Sequence, residues 1–573
     1  MSDQINHIEK LISQGRNFEA RNLAQEGLKT ADSLRLSQLY AMAMSKSGAP
    51  KAAMEYLEPV YKQHPEDSET AGILGGIYKE LFKKDQNTKY ALLSRDTYVK
   101  NFSVTRNYYT GINAATMSAI AGQMGRGREI AGEVIRLLEN PLADFWEIAT
   151  LAEAYLLTKN REKAIDFYFQ AKKLAGTDWG KIGSVHNQLW LLNHYVSVPN
   201  EVLKVFSPPG VVAFVGHMID HPSRVQPRFP SSIEGRTKEA IASAIKTMNV
   251  KIGYSSLACG SDILFAEAMV EAGGEVTAWL PFAKADFIET SLRFAGDQWV
   301  NRFEKLANQF PVHFITQDSY SGYDDLFSFQ SNVIFGSAVI RSAMSHTKPS
   351  LITVLSETDL HKKEGGTRDT INRWPYPDRY VNINPDNFLD QAEPPRSTPM
   401  SKTVDAPLSI DRPVLYMVCA DLPGVSEDDH QSIWKSVQEK MDGLVVAPIT
   451  FDVSGVLVAS FNSVVGAIEL SQIILETLTS LRRIPQLRIS LYGNPAFLEP
   501  GPGEKQKKLS LASHQRLMGF HTLIQPGSLY ALARFAAVLA LDVNKYTLNY
   551  AGVIVPEGET EHFEIYSVKI NDH

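Results

Sequence analysis

The stretch GYSSLACGSDILFAEA, residues 253–268, decides the fold of the middle of this chain. It starts in an apolar β-like run, crosses small residues and Gly260-Ser261-Asp262, and continues with apolar residues at helical spacing. A strand that turns into a helix this way presents backbone N–H groups at the helix N-terminus, where phosphate binds well. The same residue types also suit an ordinary turn in which Asp262 caps the helix. Both interpretations stay open from this stretch alone.

Strand and helix patterns alternate on both sides of this stretch, from residue 206 to residue 390. Apolar β-branched runs lie at 211–215, 275–280 and 349–356, and helical patterns lie between them. Alternation of this kind predicts a parallel sheet covered by helices. We therefore expect an α/β domain over 206–390.

Glycine and hydroxyl side chains follow three of the predicted strands. Because the carboxyl ends of parallel strands meet at one edge of a sheet, these residues are expected to form one ligand site. Glycine lets backbone N–H groups approach a phosphate, and Asp262 suits ribose hydroxyls rather than phosphate. The predicted ligand-binding residues are Gly216, His217, Ser255, Ser256, Gly260, Ser261, Asp262, Gly365, Gly366 and Thr367.

Two motifs of this region resemble those of the SLOG superfamily, whose members include DNA-processing protein A and the lonely-guy cytokinin-activating enzymes. The motifs are the segment 253–282 and EGGTRDTINRW at 364–374. The resemblance implies a Rossmann-like fold that binds a nucleotide or a nucleotide-derived ligand. Phosphoribohydrolase members carry a catalytic Glu just after the Gly-Gly-Thr turn, and this chain has none before Trp374. That departure favours binding over hydrolysis, with Glu267 as the candidate catalyst if the domain is instead an N-glycosidase.

A second acidic motif, CADLPGVS at 419–426, ends the first strand of the segment 411–573. A carboxylate at a strand end before a glycine turn can hold Mg²⁺ against triphosphate oxygens. The motif resembles the first metal motif of class III adenylate and guanylate cyclases, with Asp421 as the metal ligand. The resemblance implies an α+β, ferredoxin-like, cyclase-type domain that assembles as a dimer or a higher oligomer.

The cyclase-type catalytic set is incomplete in this chain. Ser454 and Gly455 stand where the family has its second metal Asp, and Ala512 stands where it has its transition-state Asn. Arg516 matches the family Arg and is the second candidate catalytic residue. Two-metal chemistry needs both carboxylates, so the expectation is a pseudo-cyclase without a definite cofactor. The alternative is an active cyclase that makes cAMP or cGMP with Mg²⁺ or Mn²⁺ and takes its second carboxylate from Asp452 or a partner chain.

Residues 1–205 show helical periodicity throughout. Segments such as FEARNLAQEGL at 18–28 place small and large apolar residues at tetratricopeptide spacing, a repeat of about 34 residues. We expect an all-α, TPR-like solenoid, with an irregular helical bundle as the alternative. Residues 65–200 resemble the TRAF-binding domain that precedes the kinase in apoptosis signal-regulating kinases. That resemblance implies a scaffold that contacts a protein partner.

Net charge, the lack of long apolar runs and the cysteine spacing exclude several classes of protein. The net charge of −7 argues against a protein that coats nucleic acid or an anionic membrane. The first 20 residues lack an apolar signal-peptide core, and no run of about 18 apolar residues occurs. The two cysteines, Cys259 and Cys419, are too far apart for a CxxC metal site. A cytoplasmic location is therefore expected.

The predicted molecule has three domains, with a linker at 391–410, inside the Pro-, Ser- and Asp-rich segment 384–413, before the last one. We expect a bacterial signalling or sensor protein that binds a nucleotide or an NAD-derived ligand in the middle domain. The helical domain would serve as scaffold and the cyclase-like domain as the element of assembly or output. A role in stress response or phage defence is suggested by family context alone.

Overall fold

The computed structural model describes residues 2–571 except 142–143, 321, 323–324, 358–370, 390–412, 454, 501–506 and 557–560. Contacts between Cα atoms divide the chain into two compact units. The first is Met1–Pro208 with Tyr550–Val555, and the second is Pro209–Asn549 with Pro556–His573. None of the helices in the described residues combines the length and the apolar character needed to cross a bilayer.

The first unit is helical from its start to residue 205. Its helices are α1 Ser2–Ser13, α2 Asn17–Thr30, α3 Leu34–Lys46, α4 Pro50–Gln63, α5 Ser68–Asp85, α6 Thr88–Thr105, α7 Tyr108–Ile120, α8 Met124–Leu137, α9 Phe145–Leu157, α10 Arg161–Ala175, α11 Trp179–Leu192 and α12 Asn200–Val205.

These helices form pairs because small residues recur where the helices cross. Ala20 in α2, Ala53 in α4 and Ala164 in α10 are completely buried, so the backbones can approach closely. Polar N-caps begin several of the odd-numbered helices: the Asp67 carboxylate accepts from Thr70 N, and the Asp144 carboxylate from Trp146 N. Buried small residues and polar caps thus recur along this helical region, from α2 to α10.

Odd-numbered helices form a continuous layer in this unit. Helix α1 contacts α3, α3 contacts α5, α5 contacts α7, and α7 contacts α9. Each also packs on the even-numbered helix that follows it, as α5 does on α6 and α7 on α8. One face of this helical region is therefore made of odd-numbered helices, and the even-numbered helices pack on the other side of that layer.

The second unit contains a six-stranded, all-parallel sheet in the order β4-β3-β2-β1-β5-β6. Its strands are β1 Gly210–Gly216, β2 Val250–Ser255, β3 Glu275–Leu280, β4 Val312–Phe314, β5 Ser350–Val354 and β6 Tyr380–Ile383. The helices between them are α13 Glu234–Thr247, α14 Ser261–Glu271, α15 Lys284–Ser291, α16 Asp297–Ala307 and α17 Asp325–Ala343. The predicted α/β alternation is confirmed as a parallel sheet.

A second sheet follows along the chain, with seven strands in the order β14-β15-β13-β10-β7-β9-β8. Strand β10 runs parallel to β13 and antiparallel to β7. The strands are β7 Val414–Asp421, β8 Thr450–Asp452, β9 Leu457–Phe461, β10 Arg488–Pro495, β13 Leu529–Leu532, β14 Tyr546–Ile554 and β15 Phe563–Ile570, with a separate hairpin of β11 Leu498–Pro500 and β12 Lys507–Leu509. Its helices are α18 Glu427–Lys440, α19 Val464–Ser480, α20 Leu511–His521 and α21 Ala533–Ala540.

Helix α17 joins the two sheets into one packed unit. It packs on β1, β2 and β3 of the parallel sheet and also on α21 and β7 of the second sheet. Gly336 makes the approach possible, since a Cβ built there would lie 1.8 Å from the carbonyl oxygen of Ala537. Arg534 is buried at the same junction, where its Nη2 donates to the Phe314 carbonyl at 2.7 Å and its Nη1 to Asn494 Oδ1 at 3.1 Å.

Candidate functional site

The strand order of the parallel sheet reverses between β1 and β5, which are neighbours although they are far apart in sequence. In open α/β sheets ligands bind outside the carboxyl ends of the strands at such a reversal. The segments that leave β1 and β5 are tied together there. His217 N donates to the Val354 carbonyl at 3.0 Å, and Ser356 N donates to His217 Nε2 at 3.0 Å.

The loop after β2 joins the same edge. Ser261 donates to the His217 carbonyl twice, from its backbone N at 3.0 Å and from its Oγ at 2.9 Å. Ile219 N donates to the Cys259 carbonyl at 3.2 Å, and Met218 and Gly260 form an isolated β-bridge. The loops near residues 216 and 260 therefore lie side by side. We call this region, Gly216–Ile219 with Ser255–Asp262 and Leu355–Ser356, the carboxyl edge.

Both glycines of the carboxyl edge are required by close packing. A Cβ on Gly216 would lie 2.3 Å from Ser261 Oγ, so no side chain fits between β1 and the first turn of α14. Gly260 has a φ of +103°, and a Cβ there would lie 2.6 Å from Ile219 N. The glycines thus bring the loops together, and the space between these two positions is occupied by protein atoms.

The three serines of the carboxyl edge differ in whether their hydroxyl groups already donate hydrogen bonds within the protein. Ser255 Oγ donates to the Phe214 carbonyl at 3.0 Å, and Ser261 Oγ donates to the His217 carbonyl at 2.9 Å. Ser256 is half-buried, and its hydroxyl makes no hydrogen bond to any residue that the structure describes. Among these serines, Ser256 is the one whose hydroxyl can turn towards a ligand.

Asp262 is buried in the first turn of α14 and exposes 7% of its surface. Burial raises the pKa of its carboxyl to about 7, although hydrogen bonds from the backbone N–H groups of Ala258 and Gly216 act in the opposite direction. Its Oδ1 finds no hydrogen-bond partner among the described residues. A buried acceptor without a donor is costly, so this oxygen marks a place where a ligand hydroxyl or N–H group would be stabilised.

The other predicted residues lie elsewhere. Gly365, Gly366 and Thr367 belong to the segment 358–370, outside the described residues. Glu267 forms a bidentate ion pair with Arg302, whose Nε and Nη2 lie 2.7 and 2.9 Å from its two oxygens. Lys238 lies 3.4 Å from the same carboxylate. Although burial raises the pKa of Glu267, the two cations outweigh it and lower the pKa, which is unfavourable for a general acid.

In the second sheet, Asp421 is held by an imidazole. His521 Nε2 lies 3.1 Å from Asp421 Oδ1, and Arg488 Nε lies 3.6 Å from the same oxygen. The other ring nitrogen of His521, Nδ1, lies 2.8 Å from Ser490 Oγ. His521 is completely buried, and this burial lowers its pKa, an effect that Asp421 partly offsets. The carboxylate is thus bonded within the protein at the position where the cyclase resemblance implies a metal.

The remaining cyclase-type candidates do not surround Asp421. Asp452 is exposed on β8 and pairs with Val458 of β9, which pairs with Cys419 of β7, two residues before Asp421. Two strand spacings and two residues along the strand therefore separate Asp452 from Asp421, about 12 Å. Arg516 lies half-buried on α20. In the part of the chain that the structure describes, no cluster of three His, Cys, Asp or Glu side chains could hold a metal ion.

Sequence reasoning missed Ser490 and His521. They lie 31 positions apart on β10 and α20, and neither matches a motif. The signal available in the sequence was His521 itself, since an imidazole is a suitable hydrogen-bond partner for the Asp421 carboxylate.

One family model matches the chain, Tetratricopeptide Repeats-Sensor, over residues 17–118. It covers a part of the helical unit, which therefore contains TPR-like repeats. No curated protein matches the chain.

Solved structures with some likeness fall into two groups. A thermophilic TPR protein of Thermus thermophilus is 17% identical, with a TM-score of 0.28, and the match covers 33% of this chain and 98% of that one. The adenylyl cyclase CyaB from P. aeruginosa is 12% identical, with a TM-score of 0.23, and the match covers 28% of this chain and 96% of that one. The guanylyl cyclase domain of the RhoGC fusion protein from Blastocladiella emersonii is also 12% identical, with the same TM-score, over 28% and 98%. Likenesses this weak carry no conclusion about function.

Proposed function

We propose that this protein is a signalling sensor that binds a nucleotide or an NAD-derived ligand at the carboxyl edge of its parallel sheet. The observation that carries the proposal is the buried, unpartnered Oδ1 of Asp262 at a strand-order reversal. Loops from three strands meet there, and the first turn of an 11-residue helix opens beside them. A ligand that donates a hydrogen bond to Asp262 would satisfy an acceptor that the protein leaves unsatisfied.

The chemistry of the carboxyl edge supports a ligand with both hydroxyl and anionic groups. Asp262 can accept from a ribose hydroxyl, and the half-buried Ser256 can donate to a phosphate oxygen. Backbone N–H groups and the helix dipole at the start of α14 favour an anion at that end of the ligand. Glu267 is engaged by Arg302, which favours binding of the ligand over cleavage of it.

The C-terminal sheet is proposed as a degenerate cyclase-like domain that acts in assembly or output, as a homodimer or a higher oligomer. The surroundings of Asp421 support this role, because its Oδ1 is bonded to His521 and Asp452, the alternative second carboxylate, lies two strands away. The described residues thus offer Mg²⁺ a single carboxylate, whereas two-metal chemistry needs two. The helical unit is proposed as the scaffold for a protein partner, in keeping with its TPR-like repeats. Ligand binding changes output only if the ligand prefers one conformation of the protein.

Mass spectrometry of the small molecules that co-purify with the full-length protein tests the proposal. A nucleotide-type compound is expected with the natural protein, and it should be lost from Ser256→Phe, which places a large ring at the carboxyl edge. Ser345→Phe is the matched control, since Ser345 is also half-buried but lies after α17. The proposal is wrong if both variants retain the same compound, or if none of the three proteins binds any nucleotide added at millimolar concentration.

A further inference from the structure

Side chains hold the segment that leaves β5. Three consecutive backbone N–H groups donate to side-chain acceptors: Leu355 N to Asn382 Oδ1 at 3.1 Å, Ser356 N to His217 Nε2 at 3.0 Å, and Glu357 N to Asp386 Oδ2 at 3.3 Å. These acceptors are an amide, an imidazole and a carboxylate, and of the three types only an imidazole ordinarily changes its charge between pH 5 and pH 8. His217 is therefore the acceptor whose protonation can release this segment.

The hydrogen bond between Ser356 and His217 is buried at both ends. Ser356 exposes 3% of its surface and His217 exposes 6%. A buried backbone N–H group needs an acceptor, and the imidazole supplies it just beyond the last pair of the β1–β5 ladder, Gly216 with Val354. Because Nε2 accepts, the neutral ring carries its proton on Nδ1. A second proton, on Nε2, removes the acceptor and leaves two donors facing each other.

His217 also connects β5 to the first turn of α14. Its carbonyl accepts from Ser261 N at 3.0 Å and from Ser261 Oγ at 2.9 Å, and its own N–H group donates to the Val354 carbonyl at 3.0 Å. The preceding residue, Gly216, donates its N–H group to the carboxylate of Asp262. His217 therefore fixes the ends of β1 and β5 and the start of α14 to one another. In open α/β sheets the ligand lies beside these strands, at the reversal of strand order.

The elements packed around His217 carry further charged or titratable groups. They are Asp262 in α14, Cys259 in the loop before it, Glu357 and Asp386 beside Ser356, and Asp220, His221, Arg224 and Arg228 in the loop that follows His217. Asp220 is bonded within its own loop, to Arg224 Nε at 3.3 Å and to Arg228 N at 2.8 Å. Burial raises the pKa of the Cys259 thiol to about 12, so the thiol stays neutral.

Asp262 titrates in the same range as an imidazole, since burial raises its pKa to about 7. A protonated Asp262 is no longer an ionised acceptor for a ligand hydroxyl or N–H group, and a protonated His217 no longer holds Ser356. Both effects weaken binding as the pH falls, so variants of His217 are needed to separate them.

We propose that His217 positions the carboxyl edge for its ligand through a neutral imidazole, and that proton uptake by His217 releases Ser356 and weakens ligand binding. This role depends on the function proposed above, because it assigns a regulator, the proton, to the same site. His217 is thus a positioning residue, which acts on the ligand through the loops that it connects.

Hydrogen exchange of the ligand-free, full-length protein, measured by mass spectrometry at pH 7.5, tests the contact between His217 and Ser356. The amide of Ser356 should exchange at least tenfold faster in His217→Leu than in the natural protein. His217→Gln should restore slow exchange, since its Oε1 can accept close to the position of Nε2. The matched control is His430→Leu, because His430 Nε2 also accepts a hydrogen bond, from Trp434 Nε1 at 3.0 Å, but lies on α18. Equal exchange of Ser356 in all four proteins overturns the proposal.

Isothermal titration with NAD at pH 8.0 and pH 5.5 tests the effect of His217 on binding. NAD is the probe because its pyrophosphate keeps its charge over this range. The natural protein and His217→Gln should bind NAD about equally at pH 8.0. At pH 5.5 the natural protein should have lost about three- to tenfold more affinity than His217→Gln, since an imidazole of ordinary pKa, about 6.5, is largely protonated there. The loss that both proteins share reports Asp262, and His430→Gln should follow the natural protein.

The failure of this role differs from the failure of the proposed function. NAD binding with the same pH profile in the natural protein and in His217→Gln overturns the role of His217 and leaves the proposed function standing. Absence of NAD binding at millimolar concentration overturns the effect of His217 on binding and counts against the proposed function as well. Melting curves accompany each variant, and His217→Gln, which keeps an acceptor, keeps the test decisive if His217→Leu unfolds.

Discussion

At the scale of single residues, Asp262 connects the stability of the protein to its binding site. Two backbone N–H groups approach its carboxylate, yet Oδ1 stays without a partner among the described residues, and burial raises the pKa to about 7. An acid whose pKa is higher in the folded state binds its proton more tightly there than in the unfolded chain. Its contribution to stability is therefore complete below about pH 4 and lost as the pH rises through about 7.

Asp262→Asn should remove this pH dependence. A shift of about 3 pKa units corresponds to about 4 kcal/mol as an upper limit, so the natural protein should lose up to that amount of unfolding free energy between pH 4 and pH 8. The variant should lose less over the same range. Urea unfolding at pH 4 and pH 8 measures both proteins, and Asp297→Asn, at an exposed position, is the control. Identical pH profiles for Asp262→Asn and the natural protein would contradict the buried environment described for Asp262.

His521 gives the corresponding prediction for the second sheet. Asp421→Ala leaves the buried Nε2 of His521 without its acceptor, so the unfolding free energy should fall by about 1–3 kcal/mol. Because the described residues place no cluster of three metal-ligating side chains around Asp421, Mn²⁺ at millimolar concentration should not raise the melting temperature of the natural protein. A rise with Mn²⁺ that disappears in Asp421→Ala would show that Asp421 binds metal instead.

At the scale of helices and strands, α17 is the helix that packs against both the parallel sheet and the second sheet. It packs on three strands of the parallel sheet and on α21 and β7 of the second sheet, with Gly336 against the backbone of Ala537. The ring of Phe329, on the same helix, packs edge-on against Tyr416 of β7, with centroids 6.0 Å apart. Because both sheets pack on this helix, we expect them to unfold together.

Gly336→Ala should separate α17 from α21. The added methyl group would overlap the Ala537 carbonyl, and overpacking of a rigid contact costs about 3 kcal/mol of unfolding free energy. Gly235→Ala in α13 is the matched control, since a Cβ there meets no atom within 4 Å and alanine favours a helix by up to about 1 kcal/mol. Thermal unfolding measures both variants. A Gly336→Ala protein as stable as the natural one would show that the two helices do not pack so closely.

Much of the fold could be predicted because it follows from local patterns. The buried alanines at 20 and 53 and the alternating strands at 211–215 and 349–356 encode the helix pairs and the parallel sheet. The pairing of α17 with α21, and of Asp421 with His521, joins residues at least 100 positions apart, and no local pattern encodes such contacts. At the carboxyl edge, the glycines at 216 and 260 were predicted to be near each other and are, but their tight packing depends on the tertiary structure.

At the scale of the whole molecule, TPR-like repeats precede a unit in which a parallel sheet and a mixed sheet share one helix. The proposed division of labour places ligand recognition in the parallel sheet and assembly or output in the mixed sheet. In this proposal neither Glu267 nor Asp421 acts as a catalyst, because Glu267 is paired with Arg302 and Asp421 is bonded to His521.

The purified protein should therefore form no cyclic nucleotide from ATP or GTP with Mn²⁺, and it should release no free base from AMP or NAD. Chromatography of the products after prolonged incubation measures both reactions. Cyclic product that disappears in Asp421→Ala would establish the active cyclase instead. Free base that disappears in Glu267→Gln would establish the N-glycosidase.

A crystal structure of the full-length protein with the nucleotide that co-purifies with it tests the central claim most directly. The account predicts the ligand at the carboxyl ends of β1 and β5, with a hydroxyl or N–H group donating to Asp262 Oδ1 and its anionic group at the start of α14. A ligand bound at any other place in the protein would contradict it.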